Sequence, residues 1–139
     1  MESMRLTIIL RIAAVISLLF AAGHTYGGRS SWSPIGETDT LRAMREFQMV
    51  ISGVSRSYHD FYVGFGYSLT VFMVLQAVFL WLLADLGKTH PDLVRPFVAA
   101  LFVASIIGAV ITWRFIFPTP AAISLVLTAL LGVAYYSAS

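Results

Sequence analysis

Apolar residues fall in four long runs along this chain, and most of the polar chemistry gathers at one end of them. The runs cover about residues 6–26, 57–86, 94–117 and 119–136. A helix needs about 20 predominantly apolar residues to cross a hydrocarbon core, and each run comes close to or exceeds that. Every run carries a stripe of small residues: Ala13, Ser17 and Ala21; Gly64 and Ser68; Ala100, Ala104, Gly108 and Thr112; Ser124, Thr128 and Gly132. Residues four apart share a helix face, and small residues let helices approach where lipid supplies no hydrophobic drive. The pattern predicts an all-α membrane protein, a four transmembrane helix antiparallel bundle forming one domain over residues 1–139.

Residues 27–57 make the one long connection. Gly27-Gly28, Ser30-Ser31 and Ser33-Pro34 are turn chemistry. From Thr38 to about Val54 the spacing turns helical, with Met44, Phe47, Val50, Ile51 and Val54 on one arc and Arg42 paired to Glu46 at i,i+4. This predicts a short interfacial amphipathic helix, 38–54, between helices 1 and 2. Ser57-x-x-Asp60 starts the second run in the manner of a capping box, and Gly87-Lys88 ends it. Met-Glu-Ser-Met-Arg before the first run and Phe20-Ala21-Ala22-Gly23 near its end admit a signal-peptide reading. The run is read instead as a retained span, with Arg11 reaching back to the interface.

Composition reinforces the pattern. The 139 residues are 58% apolar and 12% charged, with a mean hydropathy of +0.83, whereas soluble domains carry about 25% charged residues. The absence of cysteine excludes disulfides, thiolate catalysis, iron–sulfur clusters and cysteine-based zinc sites. Nine basic residues scattered through loops form no nucleic-acid patch. Membrane lipids are the expected surroundings. Four crossings of the cell membrane place both termini on one side, read here as cytoplasmic.

If each run spans the bilayer, His24 and Tyr26 at the end of run one and Tyr58, His59, Asp60 and Tyr62 at the start of run two fall on one side. Arg114 closes run three on the same side. Ionisable groups at membrane depth are costly and usually functional. His24 continues the face of Ser17, and His59, Tyr62, Gly66, Thr70 and Met73 share a face of run two, with Gln76 one turn on. The expected catalytic set is His59 and Asp60 as an acid–base pair, His24 and Tyr62 orienting or protonating substrate, and Arg114 holding negative charge. Tyr26, Tyr58, Arg29, Gly66, Thr70 and Thr112 are the expected ligand-binding residues. Blander readings stand beside these: interfacial histidines bonded to backbone, a helix-capping Asp60, and an Arg114 snorkelling to headgroups. No metal site is expected. Asp85, Lys88 and His90 read as solvated turn residues at the far end.

No nucleotide-binding, zinc-protease or hydrolase motif is present. The layout of four runs over the whole chain resembles small four-helix bacterial membrane proteins, and in outline the DoxX-like and emopamil-binding-like bundles. The emopamil-binding resemblance implies proton shuffling on a sterol-like substrate in a bundle cavity, by buried carboxylates with a histidine. This chain has no carboxylate deep in a run, only Asp60 near an end, so no residue is carried over.

Three functions follow as expectations. The first is a membrane protein whose polar pocket binds a small or lipid-like hydrophobic molecule and, in an enzyme form, catalyses isomerisation, cyclisation or hydration by proton transfer. The second is a b-type cytochrome with His24 and His59 ligating haem b. The third is a non-catalytic subunit or scaffold, and an outward-facing Arg114 would favour a homodimer.

Overall fold

The computed structural model describes residues 2–138, with side chains described from Ser3 onward. The elements are α1 (Glu2–Gly28), α2 (Asp39–Glu46), β1 (Gln48–Ile51), β2 (Val54–Ser57), α3 (Tyr58–Leu86), α4 (Pro91–Phe115) and α5 (Pro118–Ser137). Four of these helices are long and apolar enough to cross a membrane, the make-up of a helical, multi-pass membrane protein.

Local chemistry fixes where the helices begin. Pro91 and Pro118 open α4 and α5, where the missing N–H would have had no partner. Thr38 accepts from the Leu41 amide at 3.1 Å to start α2. Ser57 and Asp60 start α3 reciprocally. The Ser57 amide donates to Asp60 Oδ2 at 2.7 Å, and the Asp60 amide to Ser57 Oγ at 3.1 Å.

The connection differs from the helix expected over 38–54. Helix α2 stops at Glu46, and residues 48–57 form an antiparallel hairpin with Gln48 opposite Ser57 and Ile51 opposite Val54. Ser52 and Gly53 turn it, with φ of +52° and +79°. Two successive positive φ values match the twist of a two-residue hairpin loop, so the Ser-Gly pair overrides the helical spacing around it. The ion pairs differ as well. Arg42 pairs with Asp39 at 3.3 Å rather than with Glu46, and Arg45 reaches Glu37 at 2.8 Å.

Internal contacts divide the chain into two compact units, Met1–Phe20 with Leu75–Ser139, and Ala21–Val74. The first has an apolar core of Leu6, Leu10, Ala13 and Ala14 on α1, Leu80, Leu83 and Ala84 on α3, Val94 and Val98 on α4, and Leu127, Leu131 and Ala134 on α5. Thr7 Oγ1 donates to the carbonyl of Ala84 at 3.1 Å. Arg11 ion-pairs with Asp85 at 3.0 Å and lies over the Trp81 ring, and Lys88 shares the same carboxylate. Asp85 and Lys88, both exposed, thus form a charge cluster with Arg11.

Within this unit α4 and α5 pack antiparallel, with Ser105 and Thr128 sharing a hydrogen bond of 2.7 Å and Phe102 lying against Gly132. The small stripe of α5, Ser124, Thr128 and Gly132, faces α4. On α4 the expected stripe is displaced, because Ala100 and Ala104 are exposed while Val94, Val98 and Ala109 are buried. A strict four-residue repeat walks about 40° round a 3.6-residue helix at each step. The buried seam alternates threes and fours instead. Gly64 and Ser68 on α3 are also exposed, outside the more buried line through His59, Val63, Gly66, Thr70 and Met73.

Candidate functional site

The second unit is built round Trp32. Beyond the end of α1 the chain turns sharply, with the Ser31 amide donating to the Gly28 carbonyl and the Trp32 amide to the Gly27 carbonyl, both at 3.0 Å. Ser31 and Trp32 both adopt φ +52°, which for non-glycine residues costs on the order of 1–3 kcal/mol each. This turn throws the indole back over the helix ends. Its Nε1–H donates to the backbone carbonyl of His24 at 2.9 Å. The ring lies so close to the α1 and α3 backbones that an added Cβ would stand 2.8 Å from it at Gly28 and 2.5 Å at Gly66. Glycine is required at both positions by this close approach.

Aromatic rings enclose the indole. Tyr67 and Tyr62 meet it edge-on, with centroids 5.0 and 6.3 Å away, and the His24 ring is tilted against it at 5.3 Å. Edge-on pairs of this kind are favourable through the ring quadrupole. The Tyr62 hydroxyl also donates to the Trp32 carbonyl at 3.2 Å.

A polar chain runs beneath the aromatic layer. His24 Nδ1 and Thr70 Oγ1 share a hydrogen bond of 3.0 Å. Thr25 Oγ1 stands 3.3 Å from the same Thr70 oxygen and donates to the Ala21 carbonyl at 2.8 Å. His24 and Thr70 are both half-buried. His59 stands in a separate pairing, with Nε2 3.0 Å from Ser31 Oγ. Each imidazole thereby tethers α1 or its following turn to α3, and each keeps a second ring nitrogen outside these bonds.

The remaining expected residues lie around this core or elsewhere. Asp60 engages its carboxylate with Ser57 in the α3 cap, and His59 has Ser31 as its partner. Tyr58 stacks on Phe47 at 5.5 Å. Tyr26 is exposed and carries the Arg29 guanidinium over its ring at 5.5 Å. Arg114 and Thr112 belong to α4 in the other unit. There Arg114 lies over its neighbour Phe115 at 5.3 Å, and the Thr112 carbonyl accepts from Ile116 in the closing turn of the helix. Gln76, also in that unit, reaches Ser17 at 3.5 Å.

The structure therefore brings together His24, Thr70, Gly66 and Tyr62 of the expected set. It adds Trp32, Ser31, Thr25 and Tyr67, which sequence reasoning left out. A signal for Trp32 was present, as a lone tryptophan in a serine- and glycine-rich connection beside a span calls for a specific seat. Among the described residues no group of three His, Asp or Glu side chains is placed to hold a metal ion. On the outer side of α3, Arg56, Asp60, Phe61, Gly64, Phe65 and Ser68 line an open groove of about 260 Å³.

Chemically, the Trp32 ring sits against the backbone of Gly28 and Gly66, with the His24 carbonyl accepting from its Nε1–H and the His24 ring, paired to Thr70, beside it. Comparison with protein-family models, with curated proteins and with solved structures gave no match.

Proposed function

We propose that this multi-pass membrane protein binds a small, flat, hydrophobic molecule in the slot that Trp32 fills, with Trp32 as its internal placeholder. The observation that carries the reading is the combination of strain and fit at one residue. Trp32 is seated against two glycines and the His24 carbonyl, while two successive non-glycine residues with φ +52° hold it there. Backbone strain of that kind persists where the surroundings over-determine it and concentrates at ligand clamps and switches. Outward rotation of the 29–34 turn would relieve the strain and vacate the slot.

The chemistry of the slot defines its ligand. The vacated seat offers the His24 carbonyl to an N–H or O–H donor, tyrosine edges to a ring face, and His24 with Thr70 to a second polar group. In an enzymatic form the proton would be handled by His24, whose ring adjoins the slot. Asp60 holds the α3 cap, and His59 secures the turn through Ser31.

The test uses the protein in lipid nanodiscs with Trp81→Phe and Trp113→Phe, so that Trp32 alone carries a 5-fluorotryptophan label. Saturable displacement of the Trp32 ¹⁹F resonance by 2-naphthol or indole is expected, with apparent affinity about tenfold weaker in His24→Ala, the equivalent of about 1.4 kcal/mol. A Trp32 resonance unmoved by any flat donor, or moved equally by a saturated fatty alcohol, would remove the reading.

A further inference from the structure

The groove on the outer side of α3 is a second feature of the same unit, and it is independent of the Trp32 slot. It is lined by Arg56, Asp60, Phe61, Gly64, Phe65 and Ser68, with Gly64 and Ser68 one helical turn apart on α3. All six residues are exposed. A Cβ built on Gly64 would meet nothing within 4 Å, so the α3 backbone is open to close approach here. The Ser68 hydroxyl turns back to the Gly64 carbonyl at 2.9 Å, which keeps its polar group satisfied in lipid.

Two charged residues give the groove a self-complementary character. Arg56 donates to the adjacent Ser55 carbonyl at 2.8 Å, and no ion pair among the described residues takes Arg56 or Asp60. Asp60 spends one carboxylate oxygen on the Ser57 amide, leaving acceptor capacity on the other. Arg56, near the end of β2, and Asp60, in the first turn of α3, both line the groove, so opposite charges stand at one place on it. A two-fold axis beside such a patch sets each cation against the partner's anion.

We infer that this groove is an interface between two copies of the chain, packed α3 against α3 at Gly64 and Ser68 and closed by reciprocal Arg56–Asp60 pairs. Close backbone contact and polar pairing are the forces available to helices in a bilayer, and the groove supplies both. An acyl chain would add no opposite charge for either group, and an anionic headgroup would add none for Asp60. A second copy satisfies both charges.

The chain has no cysteine, so a single introduced thiol reports its own neighbourhood. Gly64→Cys and Ser68→Cys, in proteoliposomes at low protein-to-lipid ratio, are expected to form disulfide dimers at least tenfold faster than Leu69→Cys. Residue 69 is also exposed and lies about 140° round the helix from Gly64. Adding Arg56→Glu to Gly64→Cys should slow cross-linking about tenfold. Asp60→Asn keeps a capping side chain and should slow it comparably. Equal rates at 64, 68 and 69 would overturn the proposal. So would native mass spectra of the wild-type protein showing one copy with a retained zwitterionic phospholipid. The ¹⁹F response of Trp32 to ligand does not depend on these charges, so this interface can fail while the slot stands, and the reverse.

Discussion

A methyl group at Gly66 would stand 2.5 Å from the Trp32 ring, so Gly66→Ala must drive the indole from its seat. Trp32 is half-buried, and truncating a well-buried aromatic costs about 3–5 kcal/mol. We therefore expect Gly66→Ala to lose about 2 kcal/mol of stability and to move the Trp32 emission to longer wavelength. Unchanged emission in the Trp81→Phe, Trp113→Phe background would show that the indole does not sit on Gly66. The same residues explain what could be read in advance. His24, Gly66 and Thr70 were legible because the 3.6-residue period puts them on inward faces. The seat of Trp32 was not, although a lone tryptophan in a serine- and glycine-rich connection hints at one, because its position depends on Ser31 and Trp32 both taking a positive φ, which no spacing rule anticipates. Asp60 illustrates the opposite case. Its Ser57-x-x-Asp60 spacing gave the cap directly.

At the scale of elements, the start of α3 was legible, because the Ser57–Asp60 exchange is local and survives whatever the tertiary structure does. Pro91 and Pro118 begin α4 and α5 a residue or more ahead of the runs expected from 94 and 119. Removing one partner of the Ser57–Asp60 exchange should be felt locally too. Ser57→Ala is expected to cost about 1 kcal/mol and to raise amide hydrogen exchange in the first turn of α3, with the rest of that helix unaffected. Exchange unchanged at residues 58–61 would show that the cap contributes nothing. The hairpin was illegible for a definable reason. Val50, Ile51 and Val54 fit a helical arc and a short strand pair equally well, and only Ser52-Gly53 discriminates between them. Gly53 at φ +79° is disfavoured for a β-branched residue by roughly 1–2 kcal/mol. Gly53→Val should thus abolish the cross-strand amide contacts between Val50 and Ser55 in nuclear Overhauser spectra, while α2, capped independently by Thr38, persists.

For the whole molecule, four apolar helices and the charge-poor composition were enough to read a helical multi-pass chain, because lipid demands internally bonded backbone and little else spans it. Seam positions were less accessible. The α4 face against α5 follows alternating threes and fours rather than the repeat of small residues, since larger side chains such as Phe102 seat against Gly132. The proposed function rests on Trp32 occupying a ligand's place. The most direct measurement is the ¹⁹F spectrum of 5-fluorotryptophan at position 32, in nanodiscs, as 2-naphthol is titrated in. A buried resonance giving way saturably to a solvent-exposed one, with weaker apparent affinity in His24→Ala, is the expected result. A single unshifted resonance through the whole titration would contradict it.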